Sequence, residues 1–424
     1  MKILIKNGLV IDPANHVKEN FDILIEAGKI SKVAKNISAA ADKVIDASAK
    51  VIIPGLVDMH AHLRQPGRED KETIASATAA ALKGGITSLL AMPNTSPAID
   101  SVQAIELLKT LVKKNSLANV LICGAITNGR LGKELSDIVG LAKGGAIAIS
   151  DDGASVDDEK IFQQALKIAK TEKILTICHC EDKSLSNQGV VNLGIISTKL
   201  GLRGISSESE YKRIERDIRL AEKIGAVIHI AHVSCKESVE VIRQAKKRGV
   251  RVTCETAPHY FSFTQDSLVD YDTNKKMNPP LRSRQDQEAV KKGLKDGTID
   301  VIASDHAPHT ENEKDIEFDR AEFGVVGLET ELSAGISELV ENKILSLPQL
   351  VEKLALNPAR ILGIAKGAIA PGDDADIAII DPAKEWLVQK ENLVSKSKNS
   401  AFLGRRLKGV VEYTIYNGKI AYQA

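Results

Sequence analysis

Residues 51–62, VIIPGLVDMHAH, mark the point at which the chain changes its pattern. Upstream, short β-rich runs alternate with turn signals such as Asn7-Gly8 and Asp12-Pro13, which is typical of an all-β segment. Downstream, apolar strand-like runs alternate with longer stretches of helical apolar spacing. The quoted stretch therefore predicts the first strand of an alternating β/α unit, and that strand ends in two histidines.

The alternation continues through most of the chain. Segments with helical spacing, such as 73–83 and 237–247, separate eight strand-like runs. The runs cover residues 55–60, 88–92, 120–126, 146–150, 174–178, 227–232, 250–255 and 299–304. Eight strands with intervening helices predict an α/β fold, a right-handed parallel (β/α)8 TIM barrel.

The two ends of the chain share a strand-and-turn pattern that the middle lacks. After residue 365 the β-rich runs return, and Asn417-Gly418 is typical of a hairpin turn. We therefore expect one small β-sandwich domain built from residues 1–52 and 366–424, with the barrel inserted as residues 53–365. A chain of 424 residues is long enough for both units.

Composition argues against several classes of function. The 57 Lys and Arg residues balance 56 Asp and Glu residues, whereas a nucleic-acid-binding protein needs a basic surface to displace counterions. No run approaches the roughly eighteen apolar residues of a membrane span, and the N-terminus lacks a targeting pattern. The 5 cysteines lie mostly in apolar runs, which suits buried thiols in a reducing compartment. We expect a cytoplasmic protein without nucleic-acid or membrane partners.

Ionisable side chains gather where the predicted strands end. These side chains are His60, His62, Asp151, Asp152, His179, His232, His259, Asp305, His306 and His309. A barrel places its catalytic groups at the C-terminal ends of its strands, and packing alone explains such a gathering poorly. The pattern therefore predicts an active site at this rim.

Strand alternation sorts the histidines. His60 and His62 project from the same face, a few ångströms apart, which suits a shared zinc-type ion, although an isolated His-x-His is often structural. In Cys178-His179-Cys180, a histidine that enters the barrel mouth leaves both cysteines facing the helices. His229 is expected to pack in the interior.

Asp305 follows the eighth strand. It is a candidate metal ligand, general base, or both, because an aspartate beside a metal-activated water can take its proton and return it to a leaving amide. The alternative is a helix cap, but Pro308 and the polar run after it indicate a loop. The polar segment 310–323 is expected to form a mobile cover over the site.

The motifs at these positions resemble those of the amidohydrolase superfamily, and within it the type I dihydroorotases of bacteria. The resemblance covers essentially the whole chain. The motifs are 60–67 HAHLRQPG, 91–95 AMPNT, 150–153 SDDG, 179–182 HCED, 232–234 HVS, 255–259 ETAPH, 277–282 MNPPLR, 304–309 SDHAPH and 323–330 FGVVGLET. The Met-Pro-Asn, Asn-Pro-Pro-Leu-Arg and His-Ala-Pro-His elements together are typical of dihydroorotases.

The resemblance implies two zinc ions. The ligands it implies are His60, His62 and Asp305 for one ion, His179 and His232 for the other, and Asp152 as the bridge. Many relatives bridge the metals with a carbamylated lysine from the fourth strand, but this chain has no lysine there. The residues alone leave Asp151 open as the bridge, and the resemblance favours Asp152.

The resemblance also implies a reaction, the interconversion of (S)-dihydroorotate and N-carbamoyl-L-aspartate in pyrimidine (UMP) biosynthesis. A hydroxide held between the two zinc ions would attack the ring, with Asp305 as general acid and base. Arg64 offers a planar fork for the substrate carboxylate. The other implied substrate contacts are His62, Asn94, Asn278, His309, Phe323 and Gly324. A homodimer and an association with aspartate transcarbamoylase are further family expectations.

Two other functions stay open from the sequence. Dihydropyrimidinases, hydantoinases and allantoinases share the metal ligands but act on neutral or differently substituted rings, whereas Arg64 and Asn94 favour an anionic substrate. Some dihydroorotase-like chains have lost metal ligands and serve only as structural partners of aspartate transcarbamoylase. All six implied ligands are present in this chain, which favours an enzyme.

Overall fold

Two eight-stranded sheets organise the chain in the computed structural model, which describes residues 2–424; Met1, part of the predicted first segment, lies outside them. The strands are β1 (Lys2–Asp12), β2 (Val17–Glu26), β3 (Lys29–Ala34), β4 (Lys43–Asp46), β5 (Val51–Pro54), β6 (Leu56–Ala61), β7 (Ile86–Ala91), β8 (Asn119–Gly124), β9 (Ala146–Ile149), β10 (Leu175–Cys178), β11 (Val191–Asn192), β12 (Gly204–Ile205), β13 (Ile228–Ile230), β14 (Val252–Thr256), β15 (Val301–Ile302), β16 (Ile377–Leu387), β17 (Arg406–Tyr416) and β18 (Lys419–Gln423). The α-helices are α1 (Ile74–Lys83), α2 (Val102–Asn115), α3 (Ile138–Gly144), α4 (Glu159–Glu172), α5 (Lys183–Ser186), α6 (Ile195–Leu200), α7 (Glu208–Ile224), α8 (Lys236–Lys247), α9 (Pro258–Ser262), α10 (Arg284–Asp296), α11 (Glu311–Lys314), α12 (Glu331–Gly335), α13 (Leu347–Val351) and α14 (Asn357–Leu362).

One sheet is the predicted barrel. Its parallel strands follow the order β6, β7, β8, β9, β10, β13, β14, β15. The last strand returns to the first through a parallel bridge between Ala61 and His306, where the N–H of His62 donates to the C=O of His306 at 2.8 Å. Each of the eight predicted strands is present with its ends shifted by a few residues, so the predicted barrel is confirmed.

The barrel has an inner and an outer apolar layer. Met59 and Ile177 belong to the inner cluster, whereas Cys178 and Cys180 pack in the large cluster that includes helix residues such as Leu166. The two cysteines therefore face the helices, as strand alternation predicts.

The second sheet is built from both ends of the chain. Its order is β18, β17, β16, β5, β1, β2, β3, and β4 also pairs with β1. Isoleucines alternate along these strands and bury a core of their own, because β-branched side chains pack well on a pleated surface. The predicted β unit from both termini is confirmed. β5 runs to Pro54, two residues beyond the expected boundary at residue 52, and the exact division into domains stays a prediction.

Capping side chains fix where the barrel helices begin. Thr73 and Ser76 form a reciprocal capping box at the start of α1, and Ser283 and Asp286 form another at the start of α10. α10 ends at Asp296, and the following residue, Gly297, has a φ of 79°, which favours glycine. Within residues 2–424, no helix is long and apolar enough to cross a membrane.

Candidate active site

Four histidines and two aspartates converge at the C-terminal ends of the barrel strands. They are His60, His62, Asp152, His179, His232 and Asp305, and each is at most 8% exposed. They follow or end β6, β9, β10, β13 and β15, which is why residues far apart in the sequence meet. All six residues that the resemblance implies as metal ligands therefore lie in one buried cluster.

Asp152 lies between the histidine nitrogens of this cluster. Its Oδ2 is 3.4 Å from Nε2 of His62, and its Oδ1 is 3.4 Å from Nε2 of His60. Oδ1 is also 3.6 Å from Nδ1 of His179 and 3.5 Å from Nε2 of His232. The latter two nitrogens are only 2.8 Å apart. Both carboxylate oxygens of Asp152 thus face imidazole nitrogens that come from different strands.

Several of these atoms have no hydrogen-bond partner among residues 2–424. They include Nε2 of His60 and Oδ1 of Asp152, although both atoms are buried. Buried polar atoms are nearly always satisfied, so unpartnered nitrogen and oxygen atoms aimed at one another fit a bound cation. Imidazole and carboxylate ligands suit zinc or a similar divalent metal.

Two triplets bring their ligand atoms within 4.8 Å of one another. One is His60, His62 and Asp305, which is the grouping that the resemblance implies. The other is His60, Asp152 and His232, in which His60 stands where the resemblance implies His179. His179 joins this second group through its contact with His232.

Asp151 and Asp152 have different environments. Oδ1 of Asp151 accepts from the backbone N–H groups of Ile126 at 2.8 Å and Thr127 at 3.0 Å, and its Oδ2 accepts from the Thr127 hydroxyl. The Asp151 carboxylate is therefore used to fasten the loop after β8. Asp152 is the aspartate that faces the histidines.

Glu255 on β14 orients two histidines. Its Oε1 is 2.5 Å from Nδ1 of His60, and its Oε2 is 3.2 Å from Nε2 of His229. A carboxylate on the far ring N–H of His60 selects the tautomer whose Nε2 faces Asp152. The sequence motifs assigned Glu255 no role, although a carboxylate at the end of a predicted barrel strand was a usable signal. His229 is fully buried, as expected for a packed histidine.

Three residues of the site have a strained backbone conformation. Arg64, His232 and Asp305 have φ values of 61°, 34° and 47°, in a region that non-glycine residues rarely adopt. Such conformations cost on the order of 1–3 kcal/mol each and persist where the surrounding structure holds them, often at functional sites. The three side chains owe their direction at the barrel mouth to this local backbone.

Buried charges shift the pKa values in the cluster. Burial opposes protonation of His179, but Asp152 and Glu181 raise its pKa to about 9. Burial likewise opposes protonation of His60, whose pKa the carboxylates of Asp152 and Glu255 nevertheless raise well above its ordinary value. The His60 and His179 rings therefore favour the protonated form, and a cation that bound to them would displace a proton from each.

Arg64 and His309 form a polar wall at the same rim. Nη2 of Arg64 is 3.2 Å from Nε2 of His309, and its Nε donates to the C=O of Pro308 at 3.1 Å. Burial, Arg64 and Lys71 lower the pKa of His309, so its ring is neutral at physiological pH. Its Nε2 donates to the C=O of Phe323 at 2.8 Å, while its Nδ1 accepts from Lys71 at 3.0 Å.

Two predicted substrate contacts are hydrogen-bonded to the histidine cluster, one directly and one through Glu181. Oδ1 of Asn94 accepts from Nδ1 of His62 at 2.8 Å. Nδ2 of Asn278 donates to Oε2 of Glu181 at 3.1 Å, and the same oxygen is 3.6 Å from Nε2 of His179. Both asparagines therefore lie directly beside the cluster.

The backbone conformation and the close packing at position 324 require a glycine. Its φ is 129°, and a Cβ atom there would lie 2.6 Å from Cβ of Ala307. Its N–H donates to the C=O of Lys276 at 2.9 Å, and its C=O accepts from Nζ of Lys314 at 3.0 Å and Nδ2 of Asn399 at 3.1 Å. Hydrogen bonds within the protein thus hold the backbone of Gly324, which the sequence predicts as a substrate contact, in place.

Comparisons with known proteins bear on both family and fold. A family model described as Dihydro-orotase-like matches residues 49–238. The chain is similar to the dihydroorotase of Elusimicrobium minutum, with 51% identity over 420 residues that cover 99% of this chain and 97% of the relative. It is similar to the dihydroorotase of Geobacter metallireducens, with 50% identity over 424 residues and 100% of both chains. Among solved structures, the L-hydantoinase (dihydropyrimidinase) from Arthrobacter aurescens has a TM-score of 0.90 and 25% identity over 99% of this chain and 95% of that one.

Proposed function

The chain belongs to the dihydroorotase family, and we propose on that premise that it interconverts dihydroorotate and N-carbamoyl-aspartate in pyrimidine biosynthesis. The observation that carries the proposal is the joining of two features at one barrel rim. One is the buried cluster of histidine nitrogens around Asp152. The other is Arg64, a half-buried cation without a close carboxylate partner of its own among residues 2–424, which suits an anionic ring.

We propose that the cluster holds two zinc ions. His60, His62 and Asp305 would hold one, His179 and His232 the other, and Asp152 would bind both. The unpartnered Nε2 of His60 and Oδ1 of Asp152 support this assignment. When bound there, the zinc ions would lower the pKa of a water and polarise a ring carbonyl.

Asp305 would transfer the proton. Burial alone would raise its pKa, but a hydrogen bond with His62 and the positive charge of His60 hold that pKa well below its ordinary value. Asp305 would likewise stay ionised beside bound zinc, whose charge would replace that of His60, so that the Asp305 carboxylate could accept a proton from the attacking water and deliver it to the ring nitrogen as the amide C–N bond breaks. In ring closure the ureido nitrogen of carbamoyl-aspartate would attack the carboxyl carbon, and a carboxyl oxygen would leave as water with one proton from the protonated Asp305 and one from that nitrogen.

Arg64 would bind the substrate carboxylate, with help from Asn94 and His309. Oδ1 of Asn94 is engaged by His62, so its Nδ2 is the group that can donate to a substrate oxygen. Asn278 and the Phe323–Gly324 backbone would hold the ring amides. These assignments make the pocket selective for a ring that carries a negative charge.

A panel of four rings tests the proposed substrate. Zinc-loaded protein would be incubated separately with dihydroorotate, dihydrouracil, hydantoin and allantoin, and ring opening followed by absorbance and chromatography. We expect opening of dihydroorotate alone. Preference for a neutral ring would assign the chain a different cyclic amidase activity.

The family resemblance alone supports two further proposals. We propose that the protein is a homodimer, which light scattering of the purified protein would test. We also propose that it associates with aspartate transcarbamoylase, which co-elution of the two purified proteins would test. A monomer, or separate elution at micromolar concentration, would contradict the respective proposal.

A further inference from the structure

Two buried lysines direct their ammonium groups at the backbone of one loop, segment 318–324. Lys276 and Lys314 are only 2% and 5% exposed. The acceptors of Lys276 are the carbonyls of Phe318 at 2.8 Å, Asp319 at 3.1 Å and Ala321. The acceptors of Lys314 are the carbonyls of Glu322 at 2.8 Å and Gly324 at 3.0 Å. Five carbonyls of one short segment thus turn inward onto the amino groups of two lysines.

These carbonyls take the place of counterions. Neither ammonium group lies within 4.0 Å of a carboxylate among residues 2–424. A buried ammonium group without a carboxylate is costly unless other acceptors surround it. Lys276 and Lys314 therefore depend on the conformation of segment 318–324, and the segment depends equally on them.

Lys276 also connects this segment to another part of the site. Its C=O accepts from the N–H of Gly324 at 2.9 Å, and its Nζ is 4.6 Å from the ring centroid of Phe323. Asn278 lies two residues further along the chain and donates a hydrogen bond to Glu181 beside the histidine cluster. Lys276 thus holds together the two stretches of backbone that carry Asn278 and Gly324.

We propose that Lys276 and Lys314 are positioning residues that fix the Phe323–Gly324 contact to the substrate ring before substrate binds. The inference rests on the proposed function, because it takes Phe323 and Gly324 as ring contacts. It also departs from the mobile cover that the polar sequence of 310–323 predicts. A segment that is already ordered adds no ordering cost to substrate binding, so loss of either cation should weaken binding rather than chemistry.

Substitution by methionine removes each ammonium group while keeping an unbranched side chain. We expect K276M and K314M to raise KM for dihydroorotate by about tenfold or more, with kcat within about twofold and zinc content unchanged. K353M is the matched control, since Lys353 is 7% exposed and its Nζ donates to the C=O of Ile299 at 2.7 Å, outside the loop. K353M should lower the melting temperature without changing KM.

Wild-type KM in both loop variants, or an equal rise in K353M, would overturn the inference. Hydrogen exchange on the unaltered protein gives a second test that requires no variant to fold. The amides of Ala321, Glu322 and Gly324 donate to backbone carbonyls, so they should exchange equally slowly with and without dihydroorotate. Rapid exchange that slows only with ligand would contradict preordering. Failure of the wild-type protein to open dihydroorotate would remove the proposed function, while hydrogen exchange of the ligand-free protein would still test whether segment 318–324 is ordered beforehand.

Discussion

Replacing Glu255 by glutamine tests how the metal-facing histidines are oriented. The change preserves shape but removes the charge that lies 2.5 Å from Nδ1 of His60. His60 belongs to both ligand triplets, so both metal positions should weaken. Loss of such a supporting carboxylate typically lowers metal affinity by about 10–100-fold, which corresponds to about 1.4–2.8 kcal/mol.

The assay is a zinc titration in competition with a chelator of known affinity, on wild type, Glu255→Gln and the control Glu331→Gln. Glu331 is 1% exposed, and burial raises its pKa well above its ordinary value. Glutamine there resembles the protonated carboxyl that burial favours, and Glu331 belongs to neither ligand triplet, so zinc affinity should stay within about twofold. Unchanged affinity in Glu255→Gln, or an equal loss in both variants, would refute the orienting role of Glu255.

Three further experiments test the substrate contact of Arg64, the protons released when zinc binds, and the choice of Asp152 as the bridging ligand. Arg64→Ala should lower kcat/KM for dihydroorotate by about 100-fold with zinc content unchanged, and an equal loss of zinc would remove Arg64 from the substrate role. Zinc binding near neutral pH should release about two protons, one from His60 and one from His179, and fewer as pH rises through the pKa of about 9 of His179. The affinity for zinc should therefore increase with pH. Calorimetry in buffers of different ionisation enthalpy measures this release, and the absence of any release would mean that both rings were already neutral. Asp152→Asn should reduce the zinc content measured by elemental analysis. Asp151→Asn should leave the zinc content unchanged and lower the melting temperature. The reverse result would exchange the roles of the two aspartates.

The barrel could be predicted because its strands repeat with regular spacing and its ligands stand at strand ends. The ends of the strands were less predictable where the chain turns sharply at the candidate active site. The eighth run was expected to extend to residue 304, but β15 covers Val301–Ile302 alone, and the chain soon turns through the left-handed conformation of Asp305. Local pattern does not encode such a turn, because side chains contributed by other strands surround Asp305 and stabilise it.

The choice between adjacent aspartates could not be made from local pattern. It depends on the loop after β8, whose N–H groups occupy Asp151. Lys276 and Lys314 were also missed, because a lysine in a polar stretch predicts solvent exposure. Their burial arises only when segment 318–324 folds back and offers its carbonyls. Long-range packing decides all of these features.

Removal and restoration of metal test the central claim most directly. Protein stripped with a chelator would be assayed for dihydroorotate opening, then reloaded with increasing zinc while bound metal and turnover are measured on the same samples. A metal-dependent dihydroorotase should be inactive when stripped and should regain turnover in step with zinc bound at His60, His62, Asp152, His179, His232 and Asp305. Turnover without metal, or none at full zinc occupancy, would contradict the account, and the second result would favour a purely structural role for the chain.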